Sequence, residues 1–475
     1  MIFNSFQFLW LFPLVFGVYY FLPCFFPKAW KRDSKVANRL LLVISYGLYM
    51  QWNPAYALIL LGVTAVTYLF ALKINGGGKK YTQRWLACCG VLLALLPLLV
   101  FKYYNFITGT VASLLHLPGS PGLNWAVPLG ISFFTFQAVG YLFDVYYQRI
   151  SAERNWWDYM LFVAFFPQIL AGPISKAASL IPQIKANRQF DYAKATQGMK
   201  WILWGMFLKV VMADRLGLYV DTIFNNYQYN TGASCLLASL FYSFQIYGDF
   251  AGYSLMAMGT GKLMGFDLVN NFRRPYLSTS VTDFWRRWHI SLSTWLKDYV
   301  YIPMGGSRCS KAKNYWNIFV TFLVSGIWHG ANWTFVVWGM LHGVFQIIEK
   351  ALGLQRSEAR GVRRMGRIAV TFILVTFAWI VFRMPTIGDA WGVMTKIFTD
   401  LGSAPLLNSK TQAVLCIGSA LAVCLVDCCQ EFAPNRHPLM GSRKTAVRWL
   451  TYIILVFAIL LCGVFDAGQF IYVSF

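Results

Sequence analysis

The chain has 475 residues, of which 57% are hydrophobic and only 12% are charged, with a formal net charge of +23. A soluble domain is about a quarter charged, and apolar runs recur along the whole length, so the composition excludes a soluble protein and predicts an all-α, polytopic membrane protein. The positive charge does not indicate a nucleic-acid partner, because the basic residues cluster in the gaps between apolar runs, as the positive-inside rule expects.

The first apolar segments alternate with basic stretches that we assign to the cytoplasmic side. Residues 1–27 contain no Lys or Arg, which predicts a retained first helix with its N-terminus outside. Residues 40–72 are long enough for two helices, and the sequence QWNP at 51–54 predicts a break between them. Residues 85–106 and 127–147 are predicted to cross the membrane outward and back.

The middle of the chain contains a segment that is too short to span. A spanning helix needs about 20 apolar residues, whereas residues 156–173 are fewer and include Pro167, so we predict a re-entrant or tilted element rather than a full crossing. Residues 216–261 contain no Lys or Arg, and the polar turn at 224–232 divides them into an outward and an inward helix. Asp249 in the second of these is expected to be held by structural hydrogen bonds.

Three further crossings are predicted in the last quarter of the chain. They are residues 369–382, 411–427 and 449–464. With the basic stretches between them in the cytoplasm, both termini are predicted to be outside. We expect a single transmembrane domain over 1–475, with a core at 127–350 and additional C-terminal helices at 368–475, in the cytoplasmic (inner) membrane.

Two of the five histidines stand out because each directly follows a tryptophan in the central part of the chain. His329 lies near the midpoint between Lys313 and Lys350, in a segment that must dip into the membrane and return, with its turn around Gly326–Trp333. A titratable ring deep in an apolar run is costly, so it suggests a function. Burial disfavours imidazolium, so the neutral ring should accept a proton from a hydroxyl. The alternative is a structural histidine between helices.

His289 follows a stretch in which aromatic and basic residues alternate. This pattern fits either an interfacial amphipathic helix anchored at the headgroups or the cytoplasmic mouth of a cavity. The candidate binding residues around the two histidines are Trp285, Arg286, Arg287, Trp288, Trp328 and Asn332. We expect His342 to be structural. The motifs GxSxG, HExxH and CxxC are absent, so no serine nucleophile and no metal site is predicted.

Several longer motifs carry a resemblance to a known family. They are PLGISFFTFQAVGYLFDVYY, FFPQILAGPI, SFQIYGDFAGYS, NNFRRPYLSTSVTDFWRRWHISLSTWLKDYVYIPMGGSR and SGIWHGANWTFVVWGMLHG. With them the chain resembles the membrane-bound O-acyltransferases over essentially its whole length, and within that family the alginate O-acetyltransferase branch of bacterial polysaccharide acetylation proteins. The resemblance implies a bundle of about 11 or more helices, with re-entrant segments, around a central catalytic tunnel. By position, His329 corresponds to the membrane-embedded family histidine and His289 to the second one.

The resemblance implies an acetyltransferase that passes an acetyl group from a cytoplasmic thioester toward an extracytoplasmic polysaccharide. The thioester, acetyl-CoA or a carrier-borne acyl group, is a substrate, and no bound cofactor is expected. We predict that His329 acts as general base or orients the acceptor hydroxyl, and that His289 and the Trp/Arg helix support the donor entrance, with the arginines pairing with its phosphates. A secreted or membrane-anchored SGNH-type acetyltransferase is expected to finish the transfer.

Two other functions remain open at this point. One is D-alanyl transfer to teichoic acid, for which related motifs are known in a branch that looks shorter. The other belongs to a different class, a transporter for lipid-linked sugars. A transporter predicts internal repeats and polar residues spread over several helices, whereas here no repeat is seen and the polar residues concentrate in one stretch.

Overall fold

A computed structural model describes residues 6–25, 35–117, 122–170, 172–356, 360–407, 409–433 and 439–465, together with Phe3 and Ile471. All regular elements in these ranges are helical and none is a β-strand, which confirms the predicted all-α class. Among the described residues, five helical stretches are long and apolar enough to cross a membrane, so the chain is a multi-pass membrane protein. The chain termini, for which the sequence predicts an outside location, are not among the described residues.

The helices are named here in chain order. They are α1 (Phe6–Phe25), α2 (Lys35–Met50), α3 (Pro54–Asn75), α4 (Lys80–Leu98), α5 (Tyr104–Leu114), α6 (Ile131–Tyr146), α7 (Trp156–Ala164), α8 (Phe166–Ile169), α9 (Ala177–Lys185), α10 (Tyr192–Met206), α11 (Asp214–Phe224), α12 (Gly232–Leu263), α13 (Val281–Arg287), α14 (Ile290–Leu296), α15 (Lys311–His329), α16 (Trp333–Ala351), α17 (Gly361–Arg383), α18 (Ile387–Thr399), α19 (Lys410–Phe432) and α20 (Thr445–Cys462). Three π-helical segments continue α4, α10 and α14, namely Leu99–Tyr103, Phe207–Ala213 and Lys297–Tyr301.

The predicted helix break at QWNP is confirmed. The QWNP sequence separates α2 from α3, because Asn53 caps the backbone N–H of Ala55 at 2.9 Å and Pro54 starts the new helix. The short segment after Trp156 is not one spanning helix. It consists of the nine-residue α7 and the four-residue α8, separated at Phe165, with Pro167 inside α8.

The outward helical run that we predicted to begin at residue 216 begins earlier. It extends from α10 through the π-helical segment into α11, and Lys209 within it is buried. The Lys209 Nζ lies 2.5 Å from an Asp214 oxygen and 2.6 Å from an Asp249 oxygen. Because both carboxylates compensate its charge, Lys209 can be buried within the helical run and does not mark the end of an apolar segment. The same contact supplies Asp249 with the structural partner that its sequence position predicts.

The last quarter of the chain contains the three predicted crossings and one helix that the sequence analysis missed. The helices α17, α19 and α20 cover the predicted segments, and each is long and apolar enough to span. The helix α18 follows α17 after a short break. Its 13 residues are fewer than a spanning helix requires, so it escaped a search based on the lengths of apolar runs.

The chain forms two compact units. One comprises Met1–Trp201 with Ala257–Val269, and the other comprises Ile202–Met256 with Asn270–Phe475. Both histidines singled out by the sequence, and all six of the candidate binding residues around them, belong to the second unit. The site can therefore be described within that unit alone.

Candidate functional site

His289 lies at a break between the two short helices α13 and α14. Its backbone is left-handed, with φ 44° and ψ 52°. This conformation is uncommon for a residue with a Cβ, so the surrounding structure must stabilise it. The ring is completely buried, so His289 does not lie on the exposed face of an interfacial helix.

Asn271 stabilises this break from the preceding segment. Its carbonyl oxygen accepts a hydrogen bond from the Ile290 N–H at 3.0 Å, and its side-chain oxygen accepts one from the Ser291 N–H at 3.0 Å. These are the first backbone N–H groups of α14, which no residue within the helix can satisfy. Asn271 is itself buried, and its amide nitrogen donates to the Ser254 hydroxyl at 3.3 Å. Asn271 therefore fixes the direction in which α14 leaves His289.

The start of α13 is held by a carboxylate from α16. Glu349 accepts hydrogen bonds from the backbone N–H of Val281, and from the N–H and the hydroxyl of Thr282 at 3.0 Å each. The Ser280 hydroxyl caps the Asp283 N–H at 3.0 Å. A carboxylate at a helix N-terminus satisfies free N–H groups and interacts favourably with the helix dipole. The helix that leads to His289 is therefore fixed to α16.

His329 is the last residue of α15, and α16 begins only a few residues later at Trp333. The predicted turn around Gly326–Trp333 is therefore present, and α15 and α16 form a helical hairpin. Gly330 is required in this turn, because a Cβ there would lie 2.1 Å from a ring carbon of Phe335. The turn thus places the ring of His329 at the end of a helix, where it is only 3% exposed.

Two glycines allow the two helices of the hairpin to pack closely against each other. A Cβ at Gly326 would lie 2.3 Å from the carbonyl oxygen of Phe335. One at Gly339 would lie 2.4 Å from the carbonyl oxygen of Phe322 and 3.0 Å from the Cα of Gly326. Such close backbone approach is typical of membrane helix pairs with small residues at the interface. It brings the side chains of α16 against the ring of His329.

The rings of His289 and His329 lie in one buried aromatic cluster. Their centroids are 6.3 Å apart, and their planes make an angle of 62°. The indole of Trp328 lies 5.7 Å from His289 and 5.0 Å from His329. Burial lowers the pKa of His289 to about 3, so this ring is neutral. Both rings are therefore buried side by side, although the sequence around His289 also fits an interfacial helix.

The two tryptophans of the α13 segment are also buried in this cluster. Trp285 donates from its indole nitrogen to Nδ1 of His342 at 3.2 Å. The ring of Trp288 is completely buried, 5.0 Å from Phe272 and 5.1 Å from Trp379. Trp328 contacts both histidine rings, whereas Trp285 and Trp288 pack on other aromatic residues of the cluster.

The two arginines of the segment occupy different environments. Arg286 is exposed. Arg287 forms ion pairs with Asp283 and Glu431, each at 3.0 Å, and Glu431 also pairs with Arg274 at 2.8 Å. Arg287 is therefore part of an internal ion-pair network, which the alternating sequence pattern does not distinguish from an exposed position.

Asn332 is placed at the turn of the hairpin, where both of its side-chain groups have structural partners. Its oxygen caps α16 by accepting from the Thr334 N–H at 3.0 Å. Its amide nitrogen donates to the Pro385 carbonyl oxygen at 2.9 Å. An N-cap asparagine is a common helix start signal, and in this structure Asn332 has that role.

Three further aromatic residues contact the histidines and were not found from the sequence. Trp338 packs edge-on against His329, with the centroids 5.0 Å apart, and Phe382 lies 5.4 Å from the same ring. Phe250 lies 4.6 Å from the ring of His289. Phe250 and Phe382 are distant from the two histidines in sequence, and no motif around them indicates a contact with these rings. Trp338 could have been inferred, because a hairpin that turns just after His329 brings the start of α16 back alongside it.

The comparisons with known proteins point to one family. A family model described as "MBOAT, membrane-bound O-acyltransferase family" matches residues 129–385, which include both histidines. The chain is 39% identical to the "Probable alginate O-acetylase AlgI" of Pseudomonas aeruginosa over 90% of this chain and 80% of that protein. It is 34% identical to a peptidoglycan O-acetyltransferase of Helicobacter pylori, over 87% and 82%. A teichoic acid D-alanyltransferase of Streptococcus thermophilus is 27% identical over 66% and 80%.

Proposed function

The chain belongs to the membrane-bound O-acyltransferase family and is an acyltransferase, and we propose that it passes an acetyl group from a cytoplasmic thioester toward a polysaccharide outside the cell membrane. The observation that carries this proposal is the pair of buried histidine rings, 6.3 Å apart, within the residues that the family model matches. A buried neutral imidazole is suited to accept a proton from a hydroxyl.

In the proposed reaction, His329 is the general base. The acceptor hydroxyl oxygen attacks the thioester carbonyl carbon while its proton moves to the imidazole, so a C–O bond forms and the C–S bond then breaks. The imidazolium returns the proton to the departing thiolate, and the products are an ester and a free thiol. A general base of this kind contributes roughly 100- to 10,000-fold to the rate. His289, whose ring centroid lies 6.3 Å from that of His329, is assigned to the donor side.

The donor entrance is assigned to the α13 segment. Trp285, Trp288 and Trp328 provide apolar walls for the acyl chain and its thioester. Arg286 is the exposed arginine, and we assign it to the donor phosphates, to which a guanidinium can bind with two parallel hydrogen bonds. Arg287 and Asn332, whose groups are engaged in ion pairs and a helix cap, are assigned to holding the site together.

The acetyl group and the polysaccharide acceptor are supported by the relatives. The identity with the proteins named alginate O-acetylase and peptidoglycan O-acetyltransferase is higher, and covers more of this chain, than the identity with the D-alanyltransferases. In this proposal the chain lies in the cytoplasmic membrane with both termini outside, and an SGNH-type acetyltransferase, secreted or membrane-anchored, completes the transfer.

The choice between acetyl and D-alanyl transfer can be tested on membranes that contain the chain and the SGNH-type partner. One sample receives radiolabelled acetyl-CoA, and another receives a radiolabelled D-alanyl thioester on a carrier protein. Each is supplied with alginate oligosaccharides, peptidoglycan fragments or lipoteichoic acid, and membranes without the chain serve as the control. We expect acetyl label on one of the first two acceptors. Chain-dependent D-alanyl label on lipoteichoic acid, with no acetyl transfer, would overturn the proposal in favour of its alternative.

A further inference from the structure

A third histidine, His342, is buried in the same aromatic cluster as His289 and His329. It lies on α16, four residues after Trp338, and it is completely inaccessible. Its Nδ1 accepts a hydrogen bond from the Trp285 indole nitrogen at 3.2 Å. Because Nδ1 accepts, the proton of the neutral ring is on Nε2, which fixes the tautomer. His342 thus makes a specific polar contact in a region that is otherwise aromatic.

The two ends of this hydrogen bond belong to the helix that precedes His289 and to the helix that packs against His329. Trp285 precedes His289 by four residues at the end of α13. On α16, the ring of Trp338 lies between His342 and His329, with its centroid 4.9 Å from the first and 5.0 Å from the second. The bond therefore connects the segment of His289 to the helix that supports His329.

Two side chains of α16 hold α13 at two places. Glu349 binds the first turn of α13 through the backbone of Val281 and Thr282. His342, two turns earlier on the same face of α16, binds Trp285 in the second turn of α13. The second attachment acts near the C-terminal end of α13, in addition to the Arg287–Glu431 ion pair. Both attachments together constrain the path of α13 toward His289.

The surroundings of the bond make its loss costly. Phe284 stacks on His342 at 6.4 Å, and the Trp285 indole is only 6% exposed. A buried N–H that loses its acceptor loses the interaction and gains no water in exchange, so alternative arrangements of α13 are disfavoured. A hydrogen bond inside an aromatic cluster also requires one relative orientation of its donor and acceptor, whereas the packing of apolar rings alone does not.

We propose that His342 is a positioning residue for the reaction. Through the hydrogen bond from Trp285 to its Nδ1, it sets the distance between the rings of His289 and His329. This inference rests on the proposed function, because it assigns those two rings to the chemistry. A displacement of reacting groups by about 1 Å can cost roughly 100-fold in rate, so a bond remote from the substrate can control turnover.

The test compares two replacements of His342 in the full chain. His342→Leu removes the acceptor at similar size, whereas His342→Asn keeps an oxygen near the position of Nδ1. We expect kcat of acetyl transfer to fall roughly 10- to 100-fold in His342→Leu, with KM for acetyl-CoA little changed, and His342→Asn to retain most of the activity. All rates are normalised to protein that elutes as a single folded species. An inactive His342→Asn beside a folded protein, or a fully active His342→Leu, would overturn the proposal.

A double-mutant cycle identifies the partner. Trp285→Phe should cause the same loss as His342→Leu, and the double variant should be no worse than either one, because both changes remove the same bond. Trp316→Phe, at an exposed position on α15, is the matched control and should leave activity unchanged. Fully additive losses in the double variant would contradict the proposal.

A measurement that does not depend on enzymatic activity tests this inference separately from the proposed function. In protein labelled with ¹⁵N-histidine, the His342 signal is assigned by its disappearance in His342→Asn. Trp285→Phe should shift the resonance of its unprotonated Nδ1, and Trp316→Phe should not. If the wild type transfers no acetyl group but this shift occurs, the proposed function fails while the bond is verified. An unmoved Nδ1 resonance would show that the bond does not exist.

Discussion

Replacing His329 with glutamine is expected to reduce acetyl transfer by roughly 100- to 10,000-fold, the usual contribution of a general base. Glutamine keeps polarity and approximate size, and it provides no group that accepts and returns a proton. The ring is 3% exposed and surrounded by Trp328, Trp338 and Phe382, so the substituted side chain has no access to bulk water that could replace the base. The measurement is the initial rate with radiolabelled acetyl-CoA.

The control for this prediction is His116→Gln. His116 is exposed and lies outside the second compact unit, so the same chemical change there should leave the rate unchanged. Both variants should insert in the membrane and accumulate to the wild-type level. A near-wild-type rate in His329→Gln would show that the ring is structural and would remove the general base from the account.

The second large effect is expected for Gly339→Ala. The added Cβ would lie 2.4 Å from the Phe322 carbonyl oxygen and 3.0 Å from the Cα of Gly326, so α15 and α16 must separate. Overpacking of this kind typically costs about 1–3 kcal/mol of stability. Because His329 is at the end of α15, the separation also displaces the ring, and we expect a loss of acetyl transfer of roughly 100-fold.

Gly366→Ala is the matched control for the glycine change. Gly366 lies within α17, and a Cβ there would have no heavy atom within 4 Å. Alanine is a better helix former than glycine, so the intrinsic helix propensity acts in the same direction at both positions. Thermal unfolding and acetyl transfer are measured for both variants. Equal stability and activity of Gly339→Ala and Gly366→Ala would contradict the close approach of the two helices.

The features that could be predicted from the sequence are those that local patterns determine. The hairpin at His329 follows from an apolar segment bounded by Lys313 and Lys350 with glycines near its midpoint, and the structure contains that turn. The break at QWNP follows from a capping asparagine before a proline. In both cases the residues that determine the structure are neighbours in the chain.

The features that could not be predicted depend on partners distant in the chain. The left-handed break at His289 needs Asn271 to satisfy the first N–H groups of α14. The internal position of Arg287 depends on Glu431, which is 144 residues away. Lys209 has Asp214 nearby in the chain, but its burial also needs Asp249 from α12. A pattern of residue types shows that such groups are present, but not which of them meet.

We expect the acetyl group to be transferred across the membrane by the reaction at His329, while the donor itself remains inside. A coenzyme that carries several phosphates cannot cross an apolar interior, whereas a two-carbon acyl group can be handed from one side to the other. Sealed right-side-out vesicles, whose lumen is the cytoplasmic face, are loaded with radiolabelled acetyl-CoA. The SGNH-type acetyltransferase and its glycan acceptor are then added outside.

The label on the external partner or glycan is counted over time, together with intact coenzyme in the external buffer, for the wild type and for His329→Gln. We expect label outside with the wild type, background label with His329→Gln, and no external coenzyme in either case. Equal label with both proteins, or intact labelled coenzyme appearing outside, would show that the chain transports its donor and would contradict transfer at His329.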